Sequence, residues 1–141
     1  MQTLDPNRTF PARNRFEQQV GVIAATVNFS DTGVATGIQI GTLPQGAYIT
    51  SGSSVEVVTA FNAGTTNVFT VGTVLATANN IFAAADVTEA TPGVYAIVLA
   101  NQGRAAAAAG DVPIYVKYTQ TGTAATTGQA VVVICYVTPV T

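Results

Sequence analysis

Histidine and tryptophan are absent from this 141-residue chain, cysteine and methionine occur once each, and only 9% of residues are charged. Without histidine there is no triad that uses imidazole as base, and no zinc site built on paired cysteines and histidines. One cysteine excludes an intramolecular disulfide. The longest strongly apolar run, Ala130 to Val137, has eight residues, well short of the roughly 20 a membrane-spanning helix needs. The scarcity of charge, against about 25% in an ordinary soluble domain, comes with 48% hydrophobic residues. That composition is the reverse of a disordered chain. It predicts one domain with a real core, and it leaves a surface short of charge.

Basic residues are few and unevenly placed. Residues 1–17 carry Arg8, Arg13 and Arg15 against Asp5 and Glu17. The remaining residues carry Arg104 and Lys117 against five carboxylates, Asp31, Glu56, Asp86, Glu89 and Asp111. Nucleic-acid binding needs a basic face that displaces phosphate counterions. Two cations in the body do not make one, so no nucleic-acid partner is expected. The N-terminus shows no basic segment followed by an apolar one, so the expectation is synthesis in, and retention by, a reducing cytosol. Cys135, inside the apolar run, is expected to be a buried small hydrophobe, because no base or cationic neighbour is at hand to activate it.

What is abundant is β-forming. Residues 1–19, with two prolines, three arginines and no alternation, read as an extended N-terminal arm. Phe10 and Phe16, beside Arg13 and Arg15, are its only aromatic side chains. From Val20 onward valine, threonine and recurrent glycine set a period of two. Strands are predicted over 21–29, 37–40, 48–61 with a break at 51–54, 67–75, 93–99, 112–120 and 129–138. Val55, Val57, Thr59 and Phe61 should share the core face of one strand, and Val112, Ile114, Val116 and Tyr118 that of another. The last strand is apolar on both faces and reads as central or as lying against a partner. The linker 121–128 predicts an antiparallel hairpin joining it to 112–120. Asn62–Thr66 predicts a second connection, with Asn and Gly where a turn needs positive φ. Residues 79–86 predict a short helix capped by Asn79 or Asn80, and 104–109 a loop with one turn. Seven or eight short strands with glycine-rich connections predict a jelly-roll-like antiparallel β-sandwich over 20–141.

No catalytic constellation emerges. Asp86 and Glu89 are the one close carboxylate pair, read as a solvated loop or helix-end pair rather than as a glycosidase or calcium site. No glycine-rich phosphate loop precedes Lys117, and the serines at 51–54 have no base to activate them. Tyr48, Tyr95, Tyr115, Tyr118 and Tyr136 would suit a sugar platform, yet β-propensity already accounts for four of them. No enzyme activity, cofactor, metal or small-molecule substrate is expected.

Three stretches carry a family resemblance: Gly41-Thr42-Leu43-Pro44-Gln45-Gly46-Ala47-Tyr48-Ile49, the text from Val55 to Val68, and Pro113–Tyr118 continuing through Gly128–Val133. Together they resemble the decoration, or cement, proteins of tailed-bacteriophage capsids, which have a jelly-roll fold. The resemblance covers about residues 20–138 and transfers no functional residue. It implies a virion protein on the outer surface of the head, assembled in the bacterial host cytoplasm and bridging neighbouring major capsid subunits. A homo-oligomer, dimer or trimer, is expected, with Phe10, Arg13, Arg15 and Phe16 as arm contacts and the loops near 79–91 and 103–110 as secondary ones. The alternative is a tail, fibre or carbohydrate-binding β-sandwich module.

Overall fold

The computed structural model describes residues 19–103 and 107–138. Eight strands follow in order: β1 (Gln19–Asn28), β2 (Ile38–Leu43), β3 (Tyr48–Ile49), β4 (Ser54–Thr59), β5 (Thr66–Gly72), β6 (Gly93–Ala96), β7 (Val112–Thr121) and β8 (Gln129–Thr138). They form two antiparallel sheets packed as a jelly-roll-like sandwich. One runs β1-β8-β4-β6, with β3 also paired to β8; the other runs β2-β7-β5. No α-helix occurs among the described residues, only single 3-10 turns at Leu75–Thr77, Leu99–Asn101 and Ala107–Ala109. The first residue of β1, Gln19, already pairs with Thr138.

Alternation predicts the core correctly where strands are regular. Val55, Val57 and Phe61 are buried, as are Ile114, Val116 and Tyr118, while Thr59 is exposed after a bulge between Val57 and Thr59. Inward residues of both sheets interdigitate: Val27 and Ile134 from one, Phe69, Ile114 and Tyr118 from the other. The rings of Phe61 and Tyr118 lie 4.5 Å apart between centroids, and Phe61 and Phe69 5.9 Å apart. As expected, β8 is central, with β1 along one edge and β3 and β4 along the other.

Its neighbour, however, is not β7. The 121–128 linker is a crossover between sheets, not a hairpin. It runs beside the 60–66 connection, which also changes sheet, and the two hydrogen-bond each other. Gly64 N donates to Thr123 O at 2.8 Å, and Thr126 N and Thr127 N donate to Asn62 Oδ1 at 2.8 and 3.0 Å. Eight residues suit either route, and the apolar demands of both sheets choose the crossing. Gly64 is not in the left-handed region; a Cβ there would sit 2.9 Å from the Thr123 amide, so glycine serves the close approach of the two loops.

The predicted helix over 79–86 does not form. Ile81 and Phe82 are both fully buried, and Phe82 bridges to Val71. Adjacent side chains both pinned to the core at a sheet edge outweigh the marginal helicity of eight residues. Asn80 is not a helix cap; its side chain accepts from Thr73 N at 2.8 Å and donates to Thr73 Oγ1 at 2.9 Å. Residues 107–109, the described part of the alanine run, do form one turn.

The serine-rich break between β3 and β4 is tied to β8. Ser53, fully buried, accepts from Cys135 N at 2.9 Å through its hydroxyl, which lies 3.2 Å from Cys135 O. Ser53→Ala is expected to cost about 1–3 kcal/mol by stranding that amide, read as a lower urea midpoint at unchanged m-value. Cys135 itself is half-buried rather than buried, because its side chain points to the outward face of the sheet.

Candidate functional site

Phe10, Arg13, Arg15 and Phe16 lie outside the described residues. Some described residues of the two loops named with them are taken up by packing, while Ala84, Ala85, Thr88, Ala90 and Thr91 are exposed. Val87 is buried, Ala83 N donates to Asp86 Oδ2 at 2.7 Å, and Ile49 N donates to Gly103 O at 2.6 Å. The five tyrosines are not gathered into a platform. Tyr118 is in the core with its hydroxyl 2.6 Å from Asn67 Oδ1, Tyr95 clasps the 88–91 loop through Thr91 O at 2.7 Å, and Tyr136 packs against Gly21. Among the described residues no three acidic or cysteine side chains converge as metal ligands.

The reading of Asp86 and Glu89 as a solvated pair is corrected for Glu89. It is only 7% exposed, and its Oε1 accepts the Phe69 amide proton at 2.7 Å along the outer edge of β5. The loop carries this carboxylate inward because its backbone also binds the core, with Phe61 N donating to Glu89 O at 2.9 Å. Burial pushes the carboxyl above the usual carboxylate range, although hydrogen bonds from Phe69 and from its own backbone pull it down. Burial, and then the nearby Glu89 charge, raise the Tyr118 hydroxyl.

The folded state therefore holds the Glu89 proton more tightly than the unfolded chain does. The associated stability is present below the ordinary glutamate value, about 4.3, and is lost as pH rises through the higher folded value. Glu89→Gln keeps an acceptor for the Phe69 amide and cannot ionise. The stability of the natural chain relative to this variant is thus expected to fall between pH 4 and 7. Urea unfolding across that range checks it; parallel profiles for the two proteins would refute the assignment.

The unusual surface is the outward face of the five-stranded sheet. Cross-strand register aligns it in rows. Val20, Val137 and Tyr48 make one row, and Val22 and Cys135 the next. Ala24, Val133, Ser54 and Ala96 follow, then Thr26, Val131, Glu56 and Val94. Val20, Val94 and Val22 are 77, 67 and 58% exposed. In a free antiparallel sandwich these positions are ordinarily polar. Here Glu56 is the single charge in the four rows. Strands about 4.8 Å apart and outward residues about 6.7 Å apart make this face on the order of 500 Å², the size of the largest apolar patch on a typical monomer, which is often functional. The outward face of the opposite sheet is more polar: Lys117, Thr119, Thr70 and Gln39 stand beside Val68 and Tyr115 on β7, β5 and β2.

Sequence reasoning reached this face through β8 alone, by its two apolar sides. The contributions of β1 and β6 escaped it, since valine and alanine in alternation carry no label for which side is covered.

Comparison of the sequence with protein-family models and with curated proteins gives no match. Solved structures do match. A chain of the cyanophage Pam1 capsid asymmetric unit aligns with a TM-score of 0.65 at 19% identity, covering 97% of this chain and 98% of that one. A chain of the capsid of Ralstonia phage GP4 aligns with a TM-score of 0.57 at 18% identity, covering 95% and 93%. The jelly-roll-like β-sandwich expected from the sequence is thus a fold that chains of two phage capsid assemblies share over nearly their whole length.

Proposed function

We propose that this chain is a virion structural protein, a decoration protein that docks on the outer surface of a phage head across neighbouring major capsid subunits. The observation that carries the reading is the outward face of the five-stranded sheet, an apolar surface with one carboxylate and too little charge for permanent exposure. A fold shared with chains of two phage capsid assemblies supports it. Large permanent interfaces are apolar at their centre, with aromatic and arginine anchors. The face supplies the apolar centre, and Phe10, Arg13, Arg15 and Phe16 of the arm supply anchors of that second kind. The role is mechanical, with no reaction and no cofactor. Many modest contacts repeated on a rigid lattice add to high avidity.

The test is co-sedimentation with heads assembled from the major capsid protein of the parent phage. The full chain is expected to pellet with the heads at saturable copy number and to raise their thermal disruption temperature. Deleting residues 1–17 should weaken binding while leaving the body folded. A chain that stays in the supernatant at every ratio overturns the proposal.

A further inference from the structure

The loop at 83–92 runs from Phe82, held on the outer edge of β5 by its bridge to Val71, to Gly93, the first residue of β6. It is stapled within itself: Ala83 N donates to Asp86 Oδ2, Asp86 N to Ala83 O and Thr91 N to Thr88 O. Its forward links come from the Tyr95 hydroxyl, which reaches Thr88 O and Thr91 O, and from Asn101 Nδ2, which donates to Asp86 Oδ2. Toward β5 and the 60–66 connection, its hydrogen bonds among the described residues all end on Glu89. Phe61 N donates to the Glu89 carbonyl at 2.9 Å and Phe69 N to the carboxylate at 2.7 Å. Val87 is the only other buried side chain of the loop. One residue therefore carries the polar fastening of the loop to β5.

That carboxylate meets no counter-charge among the described residues. β5 and the connections at 60–66 and 121–128 contain no titratable side chain. From β7 the Tyr118 hydroxyl faces it, whereas Lys117 points to the other side of that strand, its ammonium 3.5 Å from Leu75 O. Glu56 on β4 is turned outward, and Asp86 and Tyr95 are engaged by the loop's own backbone. A carboxylate withdrawn from water without a counter-charge favours its neutral form. We infer that Glu89 is a pH-operated latch: protonated, it seats the 83–92 loop on the outer edge of β5, and ionised, it lets the loop lift into water while both sheets stay paired. Lifting frees the two amides that end on Glu89. Phe82 and β6 remain anchored by their own pairs with Val71 and β4.

Linkage gives the direction. In the lifted loop the carboxyl titrates at its ordinary value, about 4.3. Burial, the larger effect, puts the seated carboxyl higher in spite of the Phe69 hydrogen bond. The opening equilibrium is therefore flat below the ordinary value, rises between the two values and levels off above the seated one. The loop leads into Val94 at the edge of the outward apolar face, yet the inference concerns the free chain and stands without the docking proposed above.

Native-state hydrogen exchange of the full chain, read amide by amide by NMR between pH 4 and 7, tests the latch. Each rate is first corrected for the intrinsic pH dependence of exchange. Protection of the Phe61 and Phe69 amides is expected to fall at least ~3-fold from pH 4 to pH 7. It should also lie at least ~10-fold below that of Ile134 in central β8, as for a local opening. Urea below the unfolding transition should speed exchange at Ile134 and leave Phe61 and Phe69 unchanged, since lifting a loop exposes little surface. Glu89→Gln keeps an acceptor that cannot ionise, so its Phe69 protection should not vary with pH. Glu89→Ala should leave the Phe69 amide unprotected at every pH, with Ile134 still protected as the sign of an intact sandwich. Three results overturn the inference: Phe69 protection independent of pH in the natural chain, an equal pH response in Glu89→Gln, or a urea slope at Phe69 matching that of Ile134. No head enters the experiment, so its outcome is separate from that of the docking test.

Discussion

Phe61→Ala is expected to destabilise the chain by about 3–5 kcal/mol, the cost of emptying an aromatic site in a close-packed core. Phe61 is 1% exposed and lies at the junction of the two sheets, against Phe69 and Tyr118. Against a total of roughly 5–15 kcal/mol for a domain, the loss should lower Tm by on the order of 10–20 °C. Differential scanning calorimetry measures it, and a shift of only a few degrees would show that the sheets can close over the space. Gly128 gives an independent check on the same contact. Its φ is 150°, and a Cβ there would stand 2.2 Å from the Phe61 ring, so Gly128→Ala should be destabilising alone. Because part of that cost is the clash with the ring, Gly128→Ala in a Phe61→Ala background should cost less than in the natural chain. Additive losses would mean that the two positions do not share the contact.

Val133→Lys is expected to weaken head binding at least 30-fold while leaving the monomer folded. Val133 lies mid-face, between Ala24 on β1 and Ser54 on β4, and it is half-buried. In the free protein a lysine stem can follow the apolar surface and put its ammonium in water. Covered by a partner, the same ammonium is desolvated without a counter-charge, which costs about 2 kcal/mol or more. Sedimentation against a concentration series of heads reads the loss, and thermal unfolding of the free variant confirms that the fold survives. Unchanged head binding would remove this face from the docking surface and leave the arm to carry it.

The local elements were legible because each rests on a short-range rule. Alternation in Val55-Glu56-Val57 and in Ile114-Tyr115-Val116 named the core faces, since successive side chains on a pleated strand point to opposite sides. The two-sided apolarity of 129–138 named the central strand. Where the reading failed, a long-range contact had overruled a local preference. Residues 79–86 have helical composition, but Ile81 and Phe82 gain more by burial beside β5. Glu89 sits in a polar loop sequence, yet the Phe69 amide, twenty residues earlier, draws it out of solvent.

The sequence alone determined the class of the molecule: no imidazole chemistry, no basic face, a β-sandwich with too little charge to cover itself. Which side of the sandwich bears that deficit was decided only by tertiary structure. Eight residues at 121–128 permit a hairpin or a crossing equally well, and the crossing places β8 between β1 and β4 instead of beside β7. That choice lines up Val22, Val133 and Val94 from distant parts of the chain on one outward face. Composition counts apolar residues but does not say where they point; pairing register does, because it assigns each residue a side and a neighbour at once.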